Sequence, residues 1–304
     1  MTSNVQNALN SGTFCNLQIS IWTASKKVPT NSVQLGETDE TLFRVNKDLV
    51  ERSALKPIRQ ASQSAGEILH HRALPFNIRG VYYIPNSLIT DVVRSIRDSE
   101  RVFWEQVNSF CSNYSHYLEQ ARARLNGHFV EAEYPPADKI RQKFAWNLQM
   151  MAFTAPDSLI AVSPEMYQEA NRRFHQEIEE FTENSVALLR HKFSEMVGHV
   201  VERLTPDENG NRKIFRDTLI GNLREFLDDF HSLNLTNDAG LAEQVNRART
   251  LIEGISPEDL RISTGLSAMI SQSMGKVQEA VTGMIENAPK RRIRYQAPNQ
   301  EDAA

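Results

Sequence analysis

A carboxylate and an imidazole three residues apart on a helix share one face. This 304-residue sequence has two such pairs, Glu67 with His70 and Asp228 with His231. Paired Glu-x-x-His units hold two irons in four-helix bundles, but those sites also need two further inward glutamates that the pattern here does not offer. Solvated helix faces are the expected home of both pairs. In LTPDENGNRK, Asp207, Asn209 and Asn211 alternate as calcium ligands would. Counted from Asp207, however, the sixth and twelfth positions are Arg212 and Thr218, not the glycine and glutamate of an EF-hand. Pro206 and Gly210 make the segment a connector between helices. Gly275 and Lys276 fail the spacing of a phosphate-binding loop, and no GxSxG, HExxH or GxGxxG run occurs. Cys15 and Cys111 lie far apart without CxxC spacing, so neither a zinc site nor a disulfide framework is indicated. No catalytic, cofactor-binding or metal residue emerges, and a protein that is not an enzyme is expected.

Cations supply the remaining candidate chemistry. Lys26, Lys27 and Arg79 lie in the first third of the chain, and Lys290, Arg291, Arg292 and Arg294 sit in the closing stretch APKRRIRYQAPNQEDAA. These seven are the candidate contacts to a nucleic acid or a protein partner. Trp22, Tyr82, Tyr83, Trp104 and Trp146 could stack bases if exposed beside such cations, although core packing accounts for the same aromatics. The whole chain has 34 Lys plus Arg against 38 Asp plus Glu, a formal charge of −4, which argues against a surface built throughout to hold a polyanion. The first ninety residues hold nine bases and six acids, whereas Glu165 to Leu204 holds eight acids and five bases. Any nucleic-acid contact therefore belongs to the N-terminal part or the tail. Glu301 and Asp302 follow the tail's cations, and a flexible docking or solubilising tail is the expected reading.

The elements that would position these groups follow from apolar periodicity. In NLQISIW, Leu17, Ile19 and Ile21 alternate with Gln18 and Ser20, the period of a half-buried strand, and IRGVYYIP (78–85) is a second strand expected to pair with it. Between them, helices are expected from Thr41 to Leu74, interrupted by Pro57. From Ser87 to Leu125 an apolar stripe runs through Val92, Ile96, Phe103, Val107 and Phe110 without a proline, the pattern of one long amphipathic helix. A second helical stretch is expected through Leu148 and Met151. Ser163 followed by Pro164 has the grammar of a helix start, and the stripe from Ala170 to Leu204 predicts a third stretch of about forty residues, roughly 60 Å long. A rod of that length needs a partner of similar length, so the two long stretches are expected to lie side by side. Aromatics at seam positions favour a bundle-like stalk over an isolated coiled coil.

The fold class expected is mainly α with a small β element: a long antiparallel helical hairpin or bundle with an N-terminal two-strand α+β portion. The segments read as 1–86 (α+β), 87–204 (stalk), 205–288 (C-terminal helices) and 289–304 (basic tail). A hydrophobic content of 40% is enough to build a core. The start of the chain lacks the pattern of a signal peptide and no run is apolar enough for a membrane span, so a cytoplasmic protein is expected.

QISIWTASKK, GVYYIP before a long helix, GNRKIFRDTLIGNLREFLDDFHSLNLTND and PKRRIRY together resemble an uncharacterised bacterial and phage family. Its genes often lie beside a MoxR-like AAA+ ATPase and a protein with a von Willebrand factor A domain. The resemblance covers most of the chain, except that residues 29–78 depart from it. It implies association: a helical scaffold or adaptor acting with these two proteins. A nucleic-acid-binding protein is the alternative, and self-association is a further partner mode the sequence leaves open.

Overall fold

In the computed structural model, residues 10–28, 45–154, 157–208, 210–211 and 213–286 are described. The chain is mostly helical with a small antiparallel sheet, and it divides into two compact units, Met1–Glu183 and Asn184–Ala304.

The N-terminal unit is organised by β1 (Gly12–Ser20), whose alternation was legible in the sequence. It pairs antiparallel with β5 (Val81–Pro85), as expected, with Phe14 opposite Tyr83 and Asn16 opposite Val81. Its other side is taken by β6 (Ala145–Met151), with Leu17 opposite Leu148 and Ile19 opposite Trp146. This corrects the helix expected through Leu148 and Met151. Trp146 and Leu148 alternate with Asn147 and Gln149, so the stretch has a strand's period of two and finds a partner in β1. β4 (Leu74–Pro75) completes the order β4-β5-β1-β6, while β2 (Ser25–Val28) and β3 (Val45–Asp48) form a separate two-stranded ribbon.

Helix α1 (Lys56–Arg72) begins one residue before Pro57. The proline therefore sits in the first turn, where its missing N–H costs nothing, and does not interrupt the helix. Ile58, Ala61, Ala65 and Leu69 form its buried stripe. Helix α2 (Ile89–Ser112) buries Val92, Ile96, Phe103, Val107 and Phe110, and α1 is the helix packed most extensively along it. The apolar edge that predicted a long partner is thus met by the shorter, nearer helix. The expected single rod also stops at Asn113. There the side-chain amide donates to the Ser109 carbonyl at 2.8 Å and the backbone N–H is shared among the carbonyls of the preceding turn. An asparagine that bonds locally in this way competes with helix continuation. Helix α3 (Tyr114–Leu125) resumes immediately after it. Trp22, Leu55, Ile58, Phe103, Phe110, Tyr114 and Phe144 share one core.

After the short α4 (Ser158–Val162), α5 runs from Pro164 to Leu204, 41 residues, and the Met166 N–H donates to Ser163 Oγ at 3.3 Å. Both its length and its start agree with the sequence grammar. Phe181, in its N-terminal half, joins Phe14, Phe76 and Tyr83 in a second aromatic cluster.

The C-terminal unit takes up α5 from Asn184 and adds α6 (Thr218–Leu233), α7 (Ala239–Ile252), α8 (Pro257–Ile262) and α9 (Thr264–Glu286). Leu189, Phe193, Val197 and Val200 of α5 are buried, and Phe193 stacks on Phe226 of α6 at 5.6 Å. In the connector before α6, the Asp207 carboxylate accepts the Asn211 N–H at 2.7 Å, so it serves the turn. Asp238 caps α7, and Ser256 with Asp259 forms a reciprocal capping box on α8.

Candidate functional site

The cations singled out in the sequence do not converge. Lys26 and Lys27 are neighbours on β2, so they project to opposite faces of the ribbon; both are exposed. Lys47 stands opposite Lys26, but its ammonium pairs with Glu133 at 2.6 Å and donates to the His128 carbonyl at 2.7 Å. Arg79 is exposed in the turn between β4 and β5, on a different sheet. Lys290, Arg291, Arg292 and Arg294 lie outside the described residues.

The aromatics belong largely to the interior. Tyr83 is fully buried, its ring 5.4 Å from Phe14, and its hydroxyl lies 3.0 Å from Ser11 Oγ. Trp22 packs on Phe110 and Tyr114. Trp104 and Trp146 are half-buried against Phe103. Arg141 lies over the Trp104 ring at 4.7 Å, the nearest approach to a cation beside an accessible aromatic, but it also bonds Asn108 Oδ1. Glu67, His70, Asp228 and His231 are all exposed, each pair on its own helix, and among the described residues no group of three potential metal ligands occurs. Burial pushes the Cys15 thiol up to about 11, which keeps it protonated and unreactive at neutral pH.

What the sequence pattern did not announce is an apolar notch in the C-terminal unit. Leu204 at the end of α5 and Leu260 of α8 form its buried floor, and Lys213, Ile214, Phe215 and Arg261 line a cleft of about 180 Å³. The wall is tied together by short polar contacts. Ser267 of α9 donates to the Leu204 carbonyl at 3.3 Å, and the Thr205 and Ser271 hydroxyls meet at 2.9 Å. Arg261 covers the Phe215 ring at 5.0 Å, donates to the Phe215 carbonyl and pairs with Asp217. At the notch, Ile214 is left 90% exposed, and Ile262, next in sequence to Arg261, is 74% exposed. Ile214 lines the cleft, whereas Ile262 is not among its lining residues. The sequence reads Ile214 to Leu233 as one amphipathic helix, but the helix begins at Thr218, which leaves Ile214 and Phe215 in the connector.

The architecture defines a class: a sheet-centred N-terminal unit followed by a helical unit. The chain belongs to the family described as a protein of unknown function (DUF3150), whose model matches residues 9–253. Neither a curated protein nor a solved structure matches it. The match takes in the ribbon, the sheet and the C-terminal unit through α7, with Ile214 inside it and Ile262 beyond it. No helix among the described residues is long and apolar enough to cross a membrane.

Proposed function

We propose that the protein is a non-enzymatic adaptor that docks other proteins through the notch at Ile214 and Ile262. The observation that carries this reading is the exposure of Ile214, which lines the cleft over buried Leu204 and Leu260, and of Ile262, next in sequence to the lining residue Arg261. Transferring such side chains out of water stabilises a complex by about 1.5–3 kcal/mol each, so they contribute to an interface that other contacts must complete. The sequence resemblance suggests the partner: a MoxR-like AAA+ ATPase, with a von Willebrand factor A-domain protein in the same assembly. Lys213 and Arg261 on the notch wall are already paired with Glu202 and Asp217, so the anchor offered to the partner is apolar.

The test is co-migration of the purified full chain with the purified MoxR-like ATPase, held as a ring by a non-hydrolysable nucleotide. The wild type is expected to travel with the ring and Ile214→Asp/Ile262→Asp to lose it, with unchanged circular dichroism. Absence of co-migration by the wild type rejects the reading, and undiminished co-migration of the double variant removes the notch from it.

A second reading, nucleic-acid binding, rests on exposed Lys26 and Lys27 on the β2–β3 ribbon, with uncharged Asn46 opposite Lys27. Fluorescence anisotropy with single- and double-stranded DNA and RNA tests it. Binding at about 50 mM salt that weakens steeply by about 200 mM, and is lost in Lys26→Ala/Lys27→Ala, is the expected signature. No binding at the lower salt ends it.

A further inference from the structure

The two edges of the four-stranded sheet differ in kind. β4 has two residues, and one of them is Pro75, so that edge offers little for another strand to pair with. β6 is the opposite edge and has seven residues, Ala145 to Met151, none charged and none proline. It pairs one-to-one with β1 from Ser20↔Ala145 to Phe14↔Met151, so no bulge bends it away. Among the described residues, no strand pairs with its outer side. This edge has no charge, proline or bulge to protect it, and the backbone groups on its outer side, which no strand among the described residues pairs, form a template for a further strand.

The side chains say which strand fits. Trp146, Leu148 and Met150 point to one face, and Asn147 and Gln149 to the other. Laid antiparallel against a second copy of itself with Leu148 opposite Leu148, the strand sets Trp146 opposite Met150 and Asn147 opposite Gln149. Each pairing is favourable: a thioether against an indole, two amides able to hydrogen-bond, and two leucines. With no charge on the strand, self-pairing meets no like-charge repulsion. The apolar row also runs off its own core, since Trp146 and Leu148 are half-buried while Met150 is 45% exposed. The second copy's Trp146 would cover it.

We infer that β6 is a self-association edge, joining two copies of this chain through an antiparallel β6–β6 pairing centred on Leu148. The partner is a second copy because the order about Leu148 sets amide against amide and apolar against apolar on a strand with no charge to oppose its own copy, and a two-fold axis through Leu148 uses the same edge of both chains. This inference is independent of the notch.

Sedimentation velocity on the full chain, from about 1 to about 100 µM, is expected to show a monomer–dimer equilibrium. Asn147→Lys/Gln149→Lys sets lysine against lysine twice across the two-fold axis, and its dissociation constant is expected to rise at least about tenfold. Asn147→Lys/Gln149→Glu sets lysine against glutamate in the same register and is expected to return to within about threefold of the wild type. Circular dichroism and melting temperature establish that each variant is folded. If the double-lysine chain does not fold, Met150→Asp, at the exposed end of the apolar row, takes its place with the same expected rise. A wild type that stays monomeric throughout this range overturns the inference, as it would if another segment of the chain covered the edge. So does a double-lysine variant that dimerises as well as the wild type, or a lysine–glutamate variant as weak as the double-lysine one.

Discussion

The two units solve the same problem with different chemistry. In the N-terminal unit, interlocked aromatic rings do the packing: Phe14 alone meets Phe76, Tyr83, Phe153 and Phe181 at centroid distances between 4.8 and 6.2 Å. In the C-terminal unit, a core with fewer ring contacts is supplemented by arginines that reach backbone carbonyls on neighbouring elements. Arg190 donates to Met284 O at 3.0 Å, Arg224 to Ile252 O at 3.2 Å, Arg249 to Leu227 O and Arg261 to Phe215 O at 3.3 Å. Met284 and Ile252 lie in the last turns of α9 and α7, where carbonyls lack partners inside the helix and a cation is also favoured by the helix dipole. A sheet satisfies its backbone by strand pairing and leaves side chains free to pack, whereas helix ends must find donors elsewhere. The lesson is that the helical unit is tuned by charge and the sheet unit by shape.

Trp22, Trp104 and Trp146 all lie in the N-terminal unit, so tryptophan fluorescence reports on that unit, and circular dichroism reports on both. The largest effect is expected from Phe14→Ala, which removes the ring at the centre of the aromatic cluster. It should cost about 3–5 kcal/mol in urea unfolding followed by fluorescence. A loss below about 1 kcal/mol would break the claim that ring packing dominates there.

Next comes pH. Burial pulls the ammonium pKa of Lys192, on α5 in the C-terminal unit, down to about 8 from an ordinary 10.5. Between these values the unfolded chain binds the extra proton, so the unfolding free energy should rise with pH, by up to about 3 kcal/mol, between pH 8 and 10.5. Lys192→Met should flatten that rise, and fluorescence should show none of it.

Third is Arg190→Leu. Arg190 Nε holds the Asp238 carboxylate at 2.8 Å, and the variant leaves that carboxylate half-shielded without its cation. A cost of about 2 kcal/mol is expected, confined to the dichroism transition. Burial pushes the Asp238 carboxyl up, but the Arg190 guanidinium and the N–H groups of Leu241 and Gly240 outweigh it, and the net shift is downward. Its stabilising contribution is therefore present above the usual carboxylate range and lost as pH falls through the lowered value. The variant should lose this acid-side dependence.

Smaller still, Gly66→Ala on the exposed face of α1 meets no atom within 4 Å and should stabilise by about 0.5–1 kcal/mol, read as a higher melting temperature. Glu243→Gln breaks an exposed pair with Arg247 on α7 and should shift stability by less than about 0.5 kcal/mol. A larger loss would extend the charge tuning of the C-terminal unit to its surface.

Much of the local structure was legible. The alternation at Leu17, Ile19 and Ile21 marked β1, GVYYIP marked its partner, and Ser163-Pro164 marked the start of a 41-residue helix. Trp146-Asn147-Leu148-Gln149 carried the same period of two but was read as helix, because four residues fit either pattern until a neighbouring strand selects one. Asn113 stopped a helix without a proline, through a side-chain bond visible only once the turn is formed. Of the candidate site residues, Lys26, Lys27 and Arg79 are exposed. Ile214 and Ile262, which carry the proposed docking, fall in stretches the sequence reads as helices from Ile214 to Leu233 and from about Leu260, whereas one helix starts at Thr218 and another ends at Ile262.

By itself, then, the sequence determined the helical class, the central strand pair and the long helix, since those depend on backbone periods that each residue imposes on its near neighbours. Only the tertiary structure decided that α1 is the main helical neighbour of α2, that β6 is an edge, and that two isoleucines stand in solvent. Those outcomes turn on which apolar surface meets which across distant parts of the chain, and local spacing carries no address for its partner.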